Sequence, residues 1–355
     1  MGIDLGGLVT KHPSSLQAWN GKKVAFDAWN VLYQFLSSIR QPDGTPLKAA
    51  NGDITSHLAG TLYRTAALVE AGVKPIFVFD GQPHALKQET IAARSARRDA
   101  AQGEYADALA EGDEEKALTK AKQTSRLTWD MAEEAKELLQ LLGVPVVEAP
   151  SEGEAQAAWM ASSGAVDASC SQDFDSLLFG APRLVRNLTV TGRRKLPGKQ
   201  VWVDVAPEEI RLEEMLSTHD ISREQLVDVA LLVGTDFHPG IHGIGAKKAL
   251  GAIQKNGDLE TLLDRLNGDP GTATSALERA ILEQQEALAD REAIRSIFLQ
   301  PEHVNVDPVF GKADADGVHG FMVDRFGFSA ERVDGALKRF EAARSRANQQ
   351  SLFDF

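Results

Sequence analysis

Cysteine is almost missing from this chain, since Cys170 is the only one among 355 residues. A single thiol excludes an internal disulfide framework and a zinc site built on several cysteines. No apolar run reaches the length that a membrane-spanning helix needs. The first ten residues, MGIDLGGLVT, have neither the basic start nor the apolar stretch of a signal peptide. We therefore expect an intracellular protein that has no membrane partner.

The chain also lacks the excess of basic residues that is typical of proteins that coat nucleic acids. Its 38 Lys and Arg residues are outnumbered by 51 Asp and Glu residues, which gives a formal net charge of −13. This charge does not exclude a nuclease, because metal ions neutralise a cluster of acids and basic residues can concentrate on one face. The 43% of hydrophobic residues is typical of a globular protein with a sizeable core.

Short apolar runs alternate with helical patterns in the first two thirds of the chain. The predicted strands are Lys22–Ala28, Val73–Asp80, Val144–Ala149, Ala168–Ser171, Leu184–Val190 and Val201–Val205, with a helix at about 56–71. Strands that alternate with helices form a mostly parallel sheet with right-handed crossovers. From Pro207 the pattern predicts helices up to about Ala343. The sequence thus predicts an α/β fold, with a mostly parallel twisted central sheet flanked by helices.

Carboxylates lie at or just beyond the ends of several predicted strands, and this is the main functional signal. In open α/β sheets, ligands bind beyond the carboxyl ends of the strands. Hard oxygen ligands suit Mg²⁺ or Mn²⁺, and two such ions about 4 Å apart would support an in-line displacement at phosphorus. The sequence predicts a metal-dependent nuclease with these acidic ligands: Asp27, Asp80, Glu152, Glu154, Asp173, Asp175 and Asp236.

Each acid also has a structural alternative. Glu154 could close a capping box that starts at Ser151, and Asp27 and Asp80 could cap the turns that follow them. We favour the metal interpretation because six of the seven acids are predicted to reach the same rim of one sheet.

A segment rich in Ala, Lys, Arg and Glu separates two of the strands, from Gly81 to about Leu142. It predicts two or three inserted helices, and an insertion of this length is usually functional. Lys87, Arg94 and Arg98 share one helical face, and Arg97 is offset from it. Because Lys87 and Arg94 follow Asp80, we expect them to contact the scissile phosphate. The alternative is a solvated helix face.

The run GIHGIGAKKAL contains a glycine-rich turn before a helix. Backbone N–H groups at such a turn bind anions, and Lys247 and Lys248 would reinforce a phosphate site near Gly243 and Gly245. The alternative is a simple helix-capping turn. Tyr33 could stack on a base or pack in the core. The nearby histidines, His238 and His242, are interpreted as loop residues.

Five motifs carry a resemblance to a known family. VAFDA, FVFDG, LLGVPVVEAPSEGEAQAA, SQDFDSLLFG and LVGTDFHPGIHGIGAKKA occur in the order and spacing of the archaeal and eukaryotic flap endonucleases. The resemblance covers nearly the whole chain. It implies a structure-specific 5′ nuclease of DNA replication and repair, with the single nuclease domain that this family has.

The resemblance also implies how the ions are held. Glu152, Glu154 and Asp173 would belong with one Mg²⁺, and Asp175 and Asp236 with the other, while Asp27 and Asp80 complete the site through bound waters. Mn²⁺ would substitute for Mg²⁺. Lys87 and Arg94 match the arch residues at the scissile phosphate, and Tyr33 matches a position that stacks near the junction. The glycine turn matches a helix-two-turn-helix element that holds duplex DNA and K⁺.

The end of the chain resembles the peptide that docks on the sliding clamp, PCNA. Its residues are Gln349, Leu352, Phe353 and Phe355. The family motif ends in two adjacent aromatics, whereas here Phe353 and Phe355 are separated. The alternative is a frayed terminus.

These observations define one overall prediction. The protein is a monomeric nuclease of residues 1–343, comprising an N-terminal part (about 1–100), a helical arch or cap (about 81–142), an internal part (about 143–260) and a helical C-terminal part (about 261–343). A flexible clamp-binding tail, 344–355, follows. The expected substrate is branched DNA with a 5′ flap, and the expected location is the cytoplasm or nucleoid. The alternatives are a Holliday-junction resolvase, an excision-type nuclease, or a non-catalytic DNA-binding scaffold.

Overall fold

The computed structural model describes residues 2–41, 44–113, 116, 119–120, 124–190, 193–195 and 202–353. The strands in these ranges are His12–Pro13 (β1), Lys23–Asp27 (β2), Lys74–Phe79 (β3), Val146–Glu148 (β4), Ala168–Cys170 (β5), Arg183–Arg186 (β6), Arg193–Lys195 (β7), Trp202–Asp204 (β8) and Glu208–Arg211 (β9).

The α-helices in the same ranges fall into three groups along the chain. The first group is Ala28–Ser38 (α1), Ser56–Glu70 (α2), Gln88–Glu111 (α3) and Trp129–Leu141 (α4). The second is Gly153–Ser162 (α5), Asp175–Leu178 (α6), Leu212–His219 (α7), Arg223–Val233 (α8) and Ala246–Asn256 (α9). The third is Leu259–Gly268 (α10), Ala276–Glu283 (α11), Arg291–Leu299 (α12), Ala315–His319 (α13) and Ala330–Phe353 (α14). In the described part of the chain, no helix is both long enough and apolar enough to cross a membrane.

Seven of the described strands form one sheet in the order β1-β9-β6-β5-β2-β3-β4. β2 lies inside it and pairs in parallel with β3 on one side and β5 on the other. β4 and β6 extend the parallel part, whereas β9 and β1 are added antiparallel at one edge. The mostly parallel sheet is therefore confirmed. β7 and β8 form a separate hairpin.

Both faces of the central strands are apolar, as expected for a parallel sheet that helices cover on both sides. Along β3, Phe77 and Phe79 pack with α1, α2 and α4, while Ile76 and Val78 pack with α5 on the opposite face. Phe26 stacks on Phe77 with ring centroids 5.4 Å apart. This alternation fixes the register, because a slip of one residue would exchange the two faces.

The order of the strands explains why acids from distant segments meet. The chain moves from β2 outward through β3 to β4, and then returns to β5 on the other side of β2. The crossovers on the two sides of β2 diverge, and a crevice opens at the carboxyl ends of such strands. Asp27 pairs with Val78 and Phe26 pairs with Cys170, so the ends of the three strands are nearly level.

The helical C-terminal region was predicted with three errors. Glu208–Arg211 is a strand, not a helix, because its backbone completes the hydrogen bonds of the β6 edge. A non-helical strap, Gln300–Asp314, then crosses the molecule, and Gln156 holds it by exchanging two 2.8 Å hydrogen bonds with the Val304 backbone. Finally, α14 continues to Phe353, so residues 344–353 are helical rather than a flexible tail. The segment RSRANQQS has no proline or glycine, which favours the helix.

The insertion after β3 is also shorter than predicted. Helix α4, which we placed in the arch, is part of the core, because Leu138 and Leu139 are fully buried beside α2. The arch is therefore built on α3 and ends before Thr128, the N-cap of α4. We had assigned α4 to the insertion because the whole segment from Gly81 to Leu142 is rich in Ala, Lys, Arg and Glu and has no strand signal.

Candidate active site

Asp27 is held at the junction of β2 and α1. It ends the strand and is the N-cap residue of the helix, where its Oδ1 accepts a hydrogen bond from the Asn30 N–H at 3.1 Å. The predicted cap is therefore real. Asp27 also lies at the carboxyl end of the sheet, where ligands bind, so the capping and metal-binding interpretations do not exclude each other.

Asp80 follows β3 and faces the start of α5. Its Oδ1 accepts a hydrogen bond from the Gly153 N–H at 2.7 Å. A Cβ atom at position 153 would lie 2.7 Å from the same oxygen, so only glycine allows this approach. The glycine in the motif Ser-Glu-Gly-Glu thus brings the backbone that carries Glu152 and Glu154 up to Asp80.

Two polar residues that the sequence analysis missed connect the acids beyond β5. Ser171 donates a 2.6 Å hydrogen bond to Glu154 and accepts one from the Asp173 N–H at 3.2 Å. Asn30 donates to Asp173 Oδ2 at 3.1 Å. The spacing of Asn30 three residues after Asp27, at the end of a predicted strand, is the signal that could have identified it.

The N-terminal segment contributes directly to the site, which the sequence analysis also missed. The Ile3 N–H donates to Asp175 Oδ1 at 2.9 Å. A Cβ atom at Gly2 would lie 2.4 Å from that oxygen, so the chain passes closely over the carboxylate. Leu5 and Leu8 anchor this segment in the core beside Phe174.

The two arch cations that we predicted contact two of the acids. Lys87 bonds Glu152 and lies 3.9 Å from Asp236, and Arg94 forms an ion pair with Asp236. The Lys87 ammonium also lies 6.0 Å from the centroid of the Phe237 ring. The structure thus brings α3 against the rim. The contact of these cations with a phosphate stays a prediction.

Burial and mutual repulsion change the ionisation of the acids. Burial, followed by repulsion from Asp80, raises the pKa of Asp27 well above its usual value. The pKa of Glu154 is also raised well above its usual value, by burial and then by repulsion from Asp175. Burial is the main cause for Asp80, whose pKa rises to about 6, and for Asp175, whose pKa rises to about 7. Protein dipoles alone therefore do not compensate these negative charges, and a bound cation would.

The donor set fits a hard divalent cation in its chemistry, because carboxylate oxygens from several segments meet at this rim. Among the described residues, however, no three His, Cys, Asp or Glu side chains are arranged so that they could hold one ion directly. The hydrogen-bond partners explain this arrangement. Several carboxylates point at the protein's own donors, which are Lys87, Arg94, Asn30, Ser171 and backbone N–H groups.

The remaining predicted DNA-binding residues near the arch lie on two helices, α1 and α3. Tyr33 is half-buried on α1, and the Arg98 guanidinium lies 5.5 Å from the centroid of its ring. Arg97 is exposed on α3. Phe35, which follows Tyr33 in the same motif, is 1% exposed and belongs to the core. Of these two aromatic residues, only Tyr33 is partly exposed to a base.

The glycine-rich turn lies between α8 and α9, directly after Asp236. Gly245 is the N-cap residue of α9, and no atom lies within 4 Å of where a Cβ would stand at Gly243 or Gly245. Lys247 and Lys248 are exposed on the first turn of the helix. This open turn leaves room for a phosphate near backbone N–H groups.

The two histidines of this loop have separate environments. His238 is buried, and its ring bonds the Leu231 carbonyl at 2.8 Å and Thr235 Oγ1 at 3.2 Å. Burial lowers the pKa of His238, so it is a neutral structural residue. His242 is exposed, and its backbone N–H donates to Gln284.

The predicted clamp-binding residues lie at the end of the chain. Gln349, Leu352 and Phe353 belong to the backbone of α14, whereas Phe355 lies outside the described residues. Their docking role stays a prediction.

Comparison with known proteins decides the family. Residues 2–101 match the XPG N-terminal domain and residues 143–236 match the XPG I-region. Flap endonuclease 1 of Pyrococcus furiosus is 46% identical over 354 residues, which cover 99% of this chain and 98% of the relative. The chain belongs to the flap endonuclease 1 family. All seven acids of the site fall within these two matched regions, and the first half of α3 lies within the N-terminal one.

Solved structures of the family agree with this assignment. The flap endonuclease-1 from Methanococcus jannaschii has a TM-score of 0.73 at 36% identity and covers 98% of this chain and 100% of its own. The catalytic core of Rad2 in complex with a DNA substrate has a TM-score of 0.70 at 26% identity and covers 94% and 97%, respectively. The α/β sheet with its flanking helices is therefore the fold of the flap endonuclease 1 family.

Proposed function

We propose that this protein is a metal-dependent endonuclease that cleaves the phosphodiester backbone of branched DNA at a 5′ single-stranded flap. Removal of such flaps matures Okazaki fragments in replication and serves DNA repair. One observation carries the proposal. Seven acids from distant segments, of which Asp27 and Asp175 are buried, lie close enough to repel one another, in a chain that is 46% identical to a flap endonuclease 1.

Two Mg²⁺ ions are proposed at these acids, with Mn²⁺ as a substitute. Glu152, Glu154 and Asp173 would hold one ion, and Asp175 and Asp236 the other. Asp27 and Asp80 would complete the site. When bound, the ions would polarise the phosphate and provide a hydroxide nucleophile near neutral pH.

Lys87 and Arg94 are proposed to stabilise the negative charge that develops on the scissile phosphate. Both are already paired with acids of the rim, so the charges of Glu152 and Asp236 orient them toward the reaction centre. No serine, cysteine or histidine nucleophile is required, and the product would carry a 5′-phosphate.

Shape rather than sequence would select the substrate. The free 5′ end would pass under the arch of α3, beside Arg97 and Arg98, and a base at the junction would stack on Tyr33. Nucleotides at the junction must unpair to reach the acids, which costs a few kcal/mol. Duplex DNA would be held through its phosphates by the turn at Gly243 and Gly245 with Lys247 and Lys248, where K⁺ would also bind.

A single cleavage experiment tests the activity. Labelled double-flap DNA, a matched linear duplex and a single strand are each incubated with Mg²⁺ or with EDTA. We expect cleavage of the flap DNA alone, close to the base of the flap and only with Mg²⁺. A four-way junction serves as a control. Symmetrical nicks in that junction would indicate a resolvase instead, and binding without cleavage would indicate a scaffold.

An alanine variant tests the role of the acids. Asp175→Ala should abolish cleavage and leave the affinity for flap DNA within a few-fold of the wild type, because the phosphate-binding turn is unchanged. Loss of DNA binding with normal turnover of the bound complex would contradict this role.

The sliding clamp is a proposed partner of the C-terminal residues, and the enzyme is proposed to act as a monomer. Deletion of 349–355 should leave cleavage of free flap DNA unchanged and abolish stimulation by the clamp, PCNA. Unchanged stimulation would show that the clamp docks elsewhere.

A further inference from the structure

Asn30 makes three hydrogen bonds at the centre of the rim, and each one involves an acid or the segment that carries it. Its backbone N–H donates to Asp27 Oδ1 at 3.1 Å. Its side-chain Nδ2 donates to Asp173 Oδ2 at 3.1 Å. Its Oδ1 accepts from the Gln172 N–H at 3.3 Å. One residue thus connects the end of β2 with the turn after β5.

Because of its place in the fold, Asn30 connects the loops that follow β2 and β5. β2 and β5 are parallel neighbours, and their crossovers leave in different directions at the topological switch point. No backbone ladder continues past Cys170 in this pairing, so side chains must set the distance between the loops beyond the strands. Asn30 supplies both the donor and the acceptor for that purpose.

The side-chain amide of Asn30 also orients the Asp173 carboxylate, which lies near the negative charge of Asp27. Asp27 and Asp173 repel each other, and this repulsion is one of the causes that raise the pKa of Asp27. An amide donor aimed at one oxygen of Asp173 fixes the rotation of that carboxylate and leaves its other oxygen available. Groups that orient metal ligands in this way tune metal affinity although they do not touch the ion.

We propose that Asn30 is a positioning residue. Its side chain holds Asp173, and its backbone N–H holds Asp27, in the orientation that binds the catalytic metal. The inference rests on the function proposed above. Asn30 acts through the acids and is not itself a ligand. Ser171 supports the same arrangement from the opposite side, through Glu154 and the Asp173 backbone.

Binding of Mn²⁺ to the DNA-free protein tests the proposal without any cleavage. Asn30→Leu keeps the branched shape of the side chain and removes both of its hydrogen bonds, and Asn30→Ser keeps a small polar residue that is too short to reach Asp173. We expect both variants to weaken Mn²⁺ binding roughly 10–100-fold, the effect usual for groups that orient metal ligands. The Mg²⁺ concentration for half-maximal cleavage should rise by a similar factor. Affinity for flap DNA in EDTA should not change.

Gln34→Leu is the matched control. Gln34 lies one turn further along α1, and its side chain accepts a 2.6 Å hydrogen bond from Thr189, away from the acids. If the Asn30 variants bind Mn²⁺ as tightly as Gln34→Leu does, Asn30 only stabilises the helix and the proposal is wrong. Asn30→Ser decides the question if Asn30→Leu does not fold. Absence of Mn²⁺ binding by the wild type would overturn the proposed function as well, whereas normal wild-type binding with unaffected variants would overturn only the role of Asn30.

Discussion

Individual charges at the rim are held in an arrangement that favours function over stability. Asp27 and Asp175 are 7% and 4% exposed, respectively, although an ionised carboxylate is costly to bury. The Lys87 ammonium compensates part of this cost, because its positive charge lowers the pKa of both carboxyl groups. Removing the charge of a buried acid at the rim should therefore stabilise the protein without metal, whereas removing a structural residue should destabilise it with or without metal.

Lys87→Met should reduce the cleavage rate by roughly 10²–10³-fold, because it removes a cation that stabilises charge in the transition state. Single-turnover cleavage at saturating enzyme would measure this. Lys136→Met is the matched control, since Lys136 is equally buried between Glu133 and Glu148 but lies outside the rim. Equal loss of rate in both variants would indicate a general defect in folding instead of a role for Lys87.

Asp175→Asn should stabilise the protein in EDTA while abolishing cleavage. The amide keeps an oxygen that can accept the Ile3 hydrogen bond and removes a charge that burial disfavours. The gain in unfolding free energy at pH 8 should be on the order of 1–3 kcal/mol, since each unit of pKa shift corresponds to about 1.4 kcal/mol. Urea denaturation would measure it. A less stable variant would mean that the charge of Asp175 is already compensated without metal.

Three elements lie outside the central sheet. Helix α3 and the turn before α9 border the site, whereas the strap reaches the amino ends of β2 and β4 through Lys23 and Gly143. Helix α3 lies against the acids, the turn before α9 presents exposed lysines, and the strap Gln300–Asp314 connects the C-terminal helices back to the sheet. The strap approaches the turn after α4 so closely that Gly311 donates its N–H to the Gly143 carbonyl at 2.8 Å. The α9 turn and the strap can each be tested with a substitution that leaves the acids unchanged.

The double substitution Lys247→Ala with Lys248→Ala should weaken binding to all duplex-containing DNA by a similar factor. Its clearest signature is salt dependence, because each lost phosphate contact reduces the slope of log K against log salt by about 0.9. We expect a reduction of about 2 for the pair. Lys255→Ala on the same helix is the control, since Lys255 pairs with Glu278. A slope that does not change in the double variant would rule out phosphate contacts at this turn.

Gly143→Ala should destabilise the protein by more than the same substitution at a glycine that has a similar backbone conformation elsewhere. At Gly143 φ is +68°, and a Cβ atom would lie 2.6 Å from the carbonyl carbon of Gly311. Gly164→Ala is the control, because φ is +79° there and no atom lies within 4 Å of where a Cβ would stand. The clash should cost roughly 1–3 kcal/mol beyond the conformational strain. Equal unfolding free energies for the two variants would show that the strap moves aside freely.

At the scale of the whole molecule, the surplus of acids links stability, pH and metal. The net charge is −13, and Asp80 and Asp175 have pKa values of about 6 and about 7. These values lie above those of an unfolded chain, so the folded state binds more protons between about pH 4 and pH 7. The protonated acids therefore favour the folded state at low pH, and this contribution is lost as the pH rises through 6 and 7.

In EDTA, the melting temperature should consequently fall as the pH rises from 5 to 8. With Mg²⁺ the loss should be offset, because metal binding requires deprotonated carboxylates and stabilises the folded state. The difference between the two melting temperatures should therefore widen with pH, which calorimetry at each pH would measure. In Asp175→Asn, the difference between the melting temperatures with Mg²⁺ and with EDTA should increase less with pH than in the wild type. A constant difference in the wild type would contradict coupling between metal and these acids.

The site illustrates which features could be predicted and which could not. Asp27, Asp80 and Asp173 were identified because strand ends are readable from apolar runs, and parallel strands bring their ends together. Asn30 and Ile3 were missed because one hydrogen bond from each reaches a residue far away in the chain, and no local pattern marks it. The strand β9 was missed because its hydrogen-bonding partner β6, and not its own residue types, makes it a strand.

The sequence by itself determined the alternation of strands and helices, the identity of the acids and the resemblance to the family. It did so because hydrophobic periodicity and motif spacing are local properties. Only the tertiary structure decided that α4 belongs to the core, that Gly2 and Ile3 cover Asp175, and that Lys87 and Arg94 pair with acids of the rim. The hydrogen bonds among these features join residues that lie 65 to 172 positions apart in the chain, and the packing of the whole molecule sets such contacts.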